Sequence, residues 1–482
     1  MTGMSERDRL TAALSAIDAR LGDEPATISL LAERAGLLAT LGRTEEAKAQ
    51  YLDCLAKDPT DFHVLNNFGV LLHETNFRTA ARTLFAQAVT QHPDEPMGHV
   101  NLANLVMYED ELELAREHFE TALRLDPANI HAHQRLSGLL HDLGDLEGMR
   151  RHRKLGFAPE PVQSYPHTGD GEPIPLLVLI STPAGDLAWP TIVDTEVFAV
   201  TTVVAEFFDP QAPLPPHALI LNAIGDADLS AADMVAAQAL VARSTAPVIN
   251  PPAKVIPTGR SANAARLAGL PGVTAPKIQM LARISLLQAD AAQALIAGGF
   301  NFPLLLRSPG FHTGRHFVRV DRPADLAAAA AALPGAEVMA VRYLDARGAD
   351  GWSRKYRVMM IDGELYPLHL ALSADWKVHY ATSAMSEAPD LHAEEARFLD
   401  HMPDALGERC MGALKAIQAT LGLDYGGVDF AVGPSGDLLL FETNAVMKIV
   451  PPDASPQWDY RRPAVERATA AAKRMIVERT RG

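Results

Sequence analysis

The sequence predicts a multidomain protein: an all-α solenoid of helical repeats, followed by an α+β half that opens with a small α/β domain. Three observations carry this prediction. Prolines recur every 34 residues through the first third of the chain, a proline-rich stretch breaks any helix near residue 160, and short β-branched runs alternate with helical segments beyond it. The predicted boundaries are a repeat domain over 1–156, a linker over 157–175, a small α/β domain over 176–257 and a larger domain over 258–482.

The composition narrows the function classes. The 482 residues carry 59 acidic and 43 basic side chains, a formal net charge of −16. An acidic surface repels nucleic-acid phosphates and anionic bilayers, so neither is an expected partner. The two cysteines lie far apart in sequence, and the polar start, MTGMSERDRL, lacks an apolar signal core. We therefore expect a cytoplasmic protein without a disulfide framework.

The repeated prolines are Pro25, Pro59, Pro93, Pro127 and Pro161. At fixed offsets before them, small and aromatic residues recur in the order small, aromatic, small: Ala47, Tyr51 and Cys54, then Ala81, Phe85 and Ala88, then Ala115, Phe119 and Ala122. Small side chains let two antiparallel helices approach closely, and the aromatic ring fills the space against the next unit. This pattern resembles a tetratricopeptide repeat (TPR) array over roughly residues 6–156. Its last unit is irregular, as expected of a polar capping helix.

In a TPR array the first helix of each unit lines a concave surface. Here those helices carry Asn67, Asn101, Asn104 and Arg135, and three of these residues lie one repeat apart. Because an amide offers both a donor and an acceptor, a ladder of amides can bind an extended peptide or a protein segment. Two alternatives stay open at this point. These residues are merely the solvated stripe of amphipathic helices, or the array pairs with a second copy of the chain or packs on its own second half.

The second half contains predicted strands in two groups. Apolar runs over 175–181, 198–208 and 217–225, with a helix over 231–244, predict a small and mainly parallel sheet. Residues 278–345 predict, in order, a helix, a strand, a glycine-bearing turn, a strand, an Ala-rich helix and a strand. A single helix over 394–421 is then expected before a final hairpin and helix.

The final hairpin, YGGVDFAVGPSGDLLLFETNA, carries the most chemical information. Glu442 and Asn444 are two residues apart and share one face of a strand, and an even-length turn after Val432 would place Asp429 opposite Glu442. Two facing carboxylates repel, whereas Mg²⁺ between them converts the repulsion into ligation by hard oxygen donors. The alternative is an odd-length turn that slips the register, so that one acid faces solvent.

This hairpin, with the preceding GLDYGGVDF, resembles the metal-binding end of ATP-grasp enzymes. The resemblance implies an α+β fold in which ATP lies between two antiparallel sheets, with a lid at about 278–345. It implies that Arg260 approaches the phosphates and that Arg307 holds them from the lid strand, where the family usually has Lys. Gly310 and Gly314 would lie in the phosphate-binding turn. If the evidence from the hairpin is left aside, the alternative is that Arg307 is an ordinary charged residue at the end of a strand.

The resemblance also implies binding roles further along the chain. The backbone from Val341 to Leu344 would bind the adenine edge, and Asp345, or else Asp350, would bind the ribose. Arg357 would bind a phosphate or the acceptor carboxylate, with an ordinary surface cation as the alternative.

The implied activity is that of an ADP-forming carboxylate–amine ligase that uses ATP and Mg²⁺. A substrate carboxylate would attack the γ-phosphate to give an acyl phosphate, and an amine or similar nucleophile would then displace phosphate. A peptide or protein held by the repeat domain is one expected substrate. Two rival readings are a TPR scaffold whose second half binds nucleotide without turnover, and a kinase on the same fold.

Overall fold

A computed structural model describes residues 6–23, 25–182, 185–311, 314–378, 385, 388–453 and 455–481. The chain forms two compact units. Unit 1 comprises residues 1–161 with 168–172, and unit 2 comprises residues 162–167 with 173–482. No helix within the described residues is both long and apolar enough to cross a membrane.

Unit 1 is built from helices. In chain order they are α1 (Glu6–Asp23), α2 (Ile28–Thr40), α3 (Thr44–Lys57), α4 (Phe62–Glu74), α5 (Arg78–Gln91), α6 (Pro96–Tyr108), α7 (Leu112–Leu125), α8 (Ile130–Asp142) and α9 (Leu146–Phe157). The repeated prolines follow the C-caps of the second helices: Asp58, His92 and Asp126 each precede one. Since proline lacks an N–H and fixes φ, it ends these helices at the same point in each repeat.

The predicted close-packing positions form the core of unit 1. All nine repeated small and aromatic residues named above are buried, with at most 2% of their surface exposed. Gly69 shows how close the helices come, because a Cβ atom there would lie 2.5 Å from Cε1 of Phe85. The expected repeat packing is therefore confirmed.

Two buried histidine pairs, one repeat apart, interrupt this apolar core. Nδ1 of His133 lies 2.8 Å from Nδ1 of His152, and the corresponding pair His99 and His118 is separated by 3.0 Å. Nε2 of His133 donates to the carbonyl of Pro127, 3.1 Å away, because a carbonyl can only accept. Nδ1 of neutral His133 is therefore the acceptor, and Nδ1–H of His152 donates to it. Both imidazoles of this pair are neutral, because Nε2 of His152 accepts from Nη2 of Arg151 at 3.1 Å.

Unit 2 begins with a five-stranded sheet. Its elements are β1 (Val162–Tyr165), β2 (Ile174–Ile180), β3 (Phe198–Val204), β4 (Leu219–Asn222), α10 (Ala231–Val241), β5 (Val248–Ile249) and α11 (Pro252–Val255). The strand order is β1-β3-β2-β4-β5, with parallel pairing except at β1. This is the small, mainly parallel sheet expected from the sequence. The stretch predicted as a linker contains β1, whose four residues pair with β3.

A four-stranded antiparallel sheet follows, after α12 (Arg260–Leu267) and β6 (Val273–Thr274). Its elements are β7 (Ile278–Ala282), α13 (Ala291–Ala297), β8 (Leu304–Arg307), β9 (Phe317–Val320), α14 (Leu326–Ala331) and β10 (Glu337–Arg342). The strand order is β7-β10-β8-β9. The helix predicted before β8 is present as α13, but the prediction missed β7, which comes first and pairs with β10. A short apolar run does not distinguish a strand from a helix by its periodicity alone.

The last sheet is antiparallel apart from one edge. Its elements are β11 (Ser353–Ile361), β12 (Glu364–Ser373), α15 (His392–Asp400), α16 (Met402–Leu421), β13 (Tyr425–Val432), β14 (Leu438–Asn444) and α17 (Arg462–Arg479). The order is β12-β11-β13-β14-β6. The single helix predicted over 394–421 is broken at His401, with φ and ψ of −135° and 53°, and again inside α16 at Gly407, with φ and ψ of 77° and 163°. Pro403, which cannot donate a backbone N–H, lies in the first turn of α16.

Candidate functional site

The β13–β14 hairpin places the predicted acids opposite each other, although not for the predicted reason. Asp429 pairs with Glu442, and Gly427 pairs with Asn444. The turn, residues 433–437, is odd in length, since Val432 pairs with Leu438. A bulge at Phe441 then adds one residue to β14 and restores the register. The expected pairing is confirmed, and the even-length turn is corrected.

The acids belong to a polar row that crosses four strands. Arg357 of β11 pairs with His369 of β12 on one side and with Asp429 of β13 on the other, and Asp429 pairs with Glu442 of β14. Directly opposed residues share a face, so four polar side chains line up on one surface of the sheet. His369 and Asp429 are buried, whereas Arg357 and Glu442 are partly exposed. We call these four residues the polar row.

Asp429 is held by two cations. Arg357 donates from Nε to Oδ1 at 2.6 Å and from Nη2 to Oδ2 at 2.8 Å, and Nζ of Lys355 lies 3.3 Å from Oδ2. Burial alone would raise the pKa of Asp429, but the charges of Arg357 and Lys355 outweigh it and hold that pKa well below its usual range. Arg357 is therefore bound to the row and is not a surface cation.

Glu442 is the more accessible acid, with 27% of its side chain exposed. Its Oε1 accepts from Nη2 of Arg260 at 2.9 Å and from Nδ2 of Asn444 at 3.2 Å. Burial raises its pKa, yet the charges of Arg260 and then Arg307 prevail, so that its pKa is lowered. Oε2 accepts no hydrogen bond from the part of the chain that the structure describes.

These ion pairs change the argument for a metal ion. The facing carboxylates do not need Mg²⁺ to offset their repulsion, because Arg357, Lys355 and Arg260 already do so. The donor set still fits a hard cation, since two carboxylates and the amide oxygen of Asn444 lie on one face and Oε2 of Glu442 is available. Asn444 Oδ1 also accepts from the backbone N–H of Val446, at 3.1 Å, which fixes the orientation of its amide.

Arg260 contacts the site from α12 rather than from the cavity wall. Besides Glu442, its Nη1 binds Asp228 Oδ2 at 3.1 Å and lies 3.5 Å from Asp226 Oδ2. Its Nε is buried and donates no hydrogen bond within the described residues. Arg260 is thus surrounded by three acids and does not line the cavity, so its approach to a phosphate stays a prediction.

A cavity of ≈630 Å³ opens beside the polar row, bounded by both antiparallel sheets. The acids that line it are Asp186, Asp429 and Glu442. The lysines and arginines that line it are Arg307, Arg342, Lys355, Arg357, Lys377, Lys448 and Arg461. Seven cations against three acids, in a chain of net charge −16, make this cavity suited to an anionic ligand. Its volume lies within the usual range of about 300–1,000 Å³ for small-molecule sites.

Of the described residues in the β8–β9 turn (308–316), Gly314 lines the cavity. Arg307, the last residue of β8, donates from Nη2 to the carbonyl of Phe311. Gly310 and Gly314 both have left-handed φ, +86° and +74°. Gly310 is not among the cavity-lining residues. Burial and then the positive charge of Arg260 lower the pKa of Arg307.

The segment from Val341 to Leu344, predicted to bind the adenine edge, contributes to the cavity lining. β10 ends at Arg342, so the backbone beyond is not part of the sheet ladder. Asp345 does not reach the cavity wall: it is exposed and accepts from Tyr343 Oη at 3.3 Å and from the Arg347 N–H at 3.1 Å. Its alternative, Asp350, is bound by Arg354 at 2.7 and 2.9 Å.

Lys355, Lys377 and Arg461 are among the cavity residues that were not expected as site residues from the sequence. Lys355 binds Asp429, as described above, and Lys377 is described in a later section. Arg461 lies on a different segment, before α17. Arg461 donates from Nε to Oε2 of the fully buried Glu395, at 2.8 Å, and stacks on Trp458 at 4.0 Å. A buried arginine far from any motif gives no signal in one sequence.

In unit 1 the predicted amides bond partly to one another. Nδ2 of Asn101 donates to Oδ1 of Asn66 at 2.8 Å, and Nδ2 of Asn66 lies 3.4 Å from Oδ1 of Asn67. Asn67 and Arg135 are exposed. Oδ1 of Asn104 is buried without a hydrogen-bond partner among the described residues. The amides thus form a chain across α4 and α6, with Asn104 as the acceptor that remains.

Comparisons with known proteins cover only part of the chain. No family model matches it. The TPR repeat-containing thioredoxin TTL4 of Arabidopsis thaliana is 29% identical over 105 residues, which are 22% of this chain and 15% of that protein. This chain therefore spans about a sixth of the length of that curated relative.

Solved structures match over about a third of the chain. The Pseudomonas aeruginosa PilF structure matches with a TM-score of 0.30 and 24% identity, over 31% of this chain and 69% of that one. YrrB, described as a TPR protein with an unusual peptide-binding site, matches with a TM-score of 0.28 and 16% identity, over 31% and 76%. The first third of the chain is thus similar to TPR proteins.

Proposed function

We propose that unit 2 binds a nucleoside triphosphate with Mg²⁺ and acts as an ATP-dependent, ADP-forming carboxylate–amine ligase of the ATP-grasp type. The observation that carries this proposal is the cavity with seven cations around two paired acids, lined by both antiparallel sheets. An anion of several charges is the ligand that such an excess of cations favours. The arrangement of two antiparallel sheets around the cavity also supports the resemblance noted in the sequence.

Different residues of unit 2 would bind the metal ion, the phosphate and the base. Asp429, Glu442 and Asn444 would hold Mg²⁺, which supplies neutralisation of phosphate charge when bound. Arg307 would bind the transferred phosphoryl group, and the backbone beyond Val341, through Leu344, would bind the base. Because these groups are fixed before reaction, they stabilise charge without reorganisation.

In the proposed reaction a carboxylate oxygen forms a bond to the γ-phosphorus while the bond to the β-phosphate oxygen breaks and ADP leaves. An amine then attacks the acyl carbon of the acyl phosphate, loses a proton and releases inorganic phosphate. Arg357 is a weaker candidate for orienting the carboxylate, because Asp429 already occupies its Nε and Nη2. Peptides or proteins bound by unit 1 are the proposed source of one substrate, through Asn67, Asn101, Asn104 and Arg135.

The test is to incubate the purified protein with ATP, Mg²⁺ and pooled amino acids or peptides, and to follow ADP, AMP and phosphate. ADP and phosphate that rise together on adding substrate support the ligase. Glu442→Ala should abolish this turnover, whereas Glu466→Ala, on the exposed face of α17, should not change it. Turnover retained in Glu442→Ala would place the metal site elsewhere.

One observation favours a second candidate. Asp429 and Glu442 are already satisfied by arginines, as in a structural ion-pair network, which fits a TPR scaffold with a nucleotide-binding but non-catalytic second unit. Nucleotide binding without turnover across the substrate pool would support that candidate. ADP without phosphate would indicate a kinase.

A further inference from the structure

A lysine from the last sheet reaches across the cavity to the β8–β9 turn. Lys377 follows β12 by four residues, and its Nζ donates to the carbonyl oxygen of Gly314. The contact is close, because a Cβ atom on Gly314 would lie 2.6 Å from Cε of Lys377. Gly314 is therefore needed for this approach as well as for its left-handed φ of +74°.

The neighbouring Trp376 fixes the segment that carries this lysine. Its ring meets the ring of Phe317, in β9, edge to face at 5.5 Å, and that of Tyr343 at 6.4 Å. The guanidinium of Arg319 lies 5.5 Å from the Tyr343 ring and 5.9 Å from the Trp376 ring. These contacts join the segment after β12 to β9 and to the segment after β10, so the position of Lys377 is not that of a loose surface side chain.

Lys377 lacks an acidic partner. Within the part of the chain that is described, Nζ makes one hydrogen bond, to Gly314, and no ion pair. The cavity acids are bound by other groups: Asp429 by Arg357 and Lys355, Glu442 by Arg260, and Asp186 by the backbone N–H and hydroxyl of Ser181. An ammonium has three N–H donors, so two remain for a ligand in the cavity that Lys377 lines together with Arg307.

We infer that Lys377 binds the terminal phosphate of the nucleotide and, through the Gly314 carbonyl, holds the β8–β9 turn against that phosphate. The inference rests on the proposed nucleotide function and adds a binding residue to it. It also accounts for a turn with few glycines: backbone N–H groups over the phosphates are supplemented by an ammonium delivered from the other sheet.

The experiment measures ATP and ADP binding to the full-length protein in Mg²⁺ by isothermal titration calorimetry. Lys377→Met is compared with wild type, with Lys377→Arg, and with Lys415→Met as a matched control on the exposed face of α16. We expect Lys377→Met to weaken ATP binding by about tenfold, as for a lost hydrogen bond to a charged group, and ADP binding by much less. Lys377→Arg, which keeps the charge, should recover most of the loss, and Lys415→Met should bind like wild type.

Amide hydrogen exchange in the β8–β9 turn gives a second readout that does not depend on turnover. ATP should protect residues 314–317 in wild type and Lys377→Arg, and less in Lys377→Met. Equal ATP affinity in Lys377→Met and wild type would overturn the inference while leaving the nucleotide function intact. Equal losses for ATP and ADP would overturn the assignment to the terminal phosphate. Absence of nucleotide binding in wild type would overturn the proposed function itself.

Discussion

At the scale of single residues, the site is organised by charge compensation. The sequence indicated which acids face each other, because alternation along a strand assigns Glu442 and Asn444 to one face. It did not indicate that Arg357 lies directly across from Asp429, because cross-strand register between β11 and β13 depends on a pairing 72 residues apart. Nor did it indicate that Arg260 binds Glu442, since that contact joins a helix to a strand 182 residues away.

The Arg357–Asp429 pair should contribute strongly to the stability of unit 2. Arg357→Met leaves a buried carboxylate with only Lys355 as a partner, and we expect the free energy of unfolding to fall by about 3 kcal/mol at pH 7. Urea denaturation followed by tryptophan fluorescence measures this, because Trp189, Trp352, Trp376 and Trp458 all lie in unit 2.

The pH dependence of stability gives a second test of this pair, and a double variant gives the control. The pKa of Asp429 is lowered in the folded state, so its contribution is present above the unfolded value of about 3.9 and is lost as the pH falls below it. Arg357→Met/Asp429→Leu should recover much of the stability lost in Arg357→Met, because the buried carboxylate is removed together with the guanidinium that paired with it. If the double variant is as unstable as the sum of both single variants, the pair is not coupled as described.

At the scale of elements, the repeat hairpins were the most predictable part of the fold. Helix ends were set by prolines at a fixed period, and their cores by small residues at fixed offsets, both of which are local signals. The β13–β14 hairpin was predictable only in part. The pairing of Asp429 with Glu442 was predicted correctly although the turn has an odd length. A bulge at Phe441, which was not predicted, adds one residue to β14 and compensates for the turn. Bulges depend on sheet twist and on neighbouring strands, and no single residue predicts them.

The histidine pairs between α6 and α7 and between α8 and α9 should make unit 1 sensitive to acid. Burial, then the neighbouring His133 and Arg151, lower the pKa of His152 to about 4. The unfolded chain takes up a proton below a pKa of about 6.5 while the folded chain does not, so stability should fall between pH 6.5 and 4, by up to about 3 kcal/mol from this residue. Far-UV circular dichroism during urea unfolding reports this transition, and tryptophan fluorescence separates it from unit 2.

Another repeat of the chain indicates which substitutions to use in the control variant. One repeat before His99 and His118, the same two positions hold Leu65 and Leu84. His133→Leu/His152→Leu should therefore fold and should lose a smaller amount of stability between pH 6.5 and 4 than wild type does. A loss equal to that of wild type would show that the acid sensitivity arises elsewhere.

At the scale of the whole molecule, the sequence located the change from helical repeats to an α+β architecture, because the proline period stops and β-branched runs begin. It placed the change in a linker, whereas the structure assigns β1, inside that stretch, to unit 2. A four-residue strand with exposed side chains carries too little periodicity to be recognised, and only its pairing with β3 defines it. The two antiparallel sheets that bound the cavity likewise depend on long-range pairing.

The position of β1 predicts where unit 2 can be separated from unit 1. A fragment over 162–482 should unfold like unit 2 of the full chain, whereas 173–482 should be less stable by about 2 kcal/mol, since it lacks the backbone hydrogen bonds between β1 and β3. The 173–482 fragment also lacks Tyr165, whose ring covers the ring of Trp189 edge to face at 5.1 Å, so Trp189 becomes uncovered. An uncovered β3 edge should promote self-association, which analytical ultracentrifugation detects. Both fragments keep every residue that lines the cavity, so equal ATP binding is the control, and equal urea midpoints would show that β1 is dispensable.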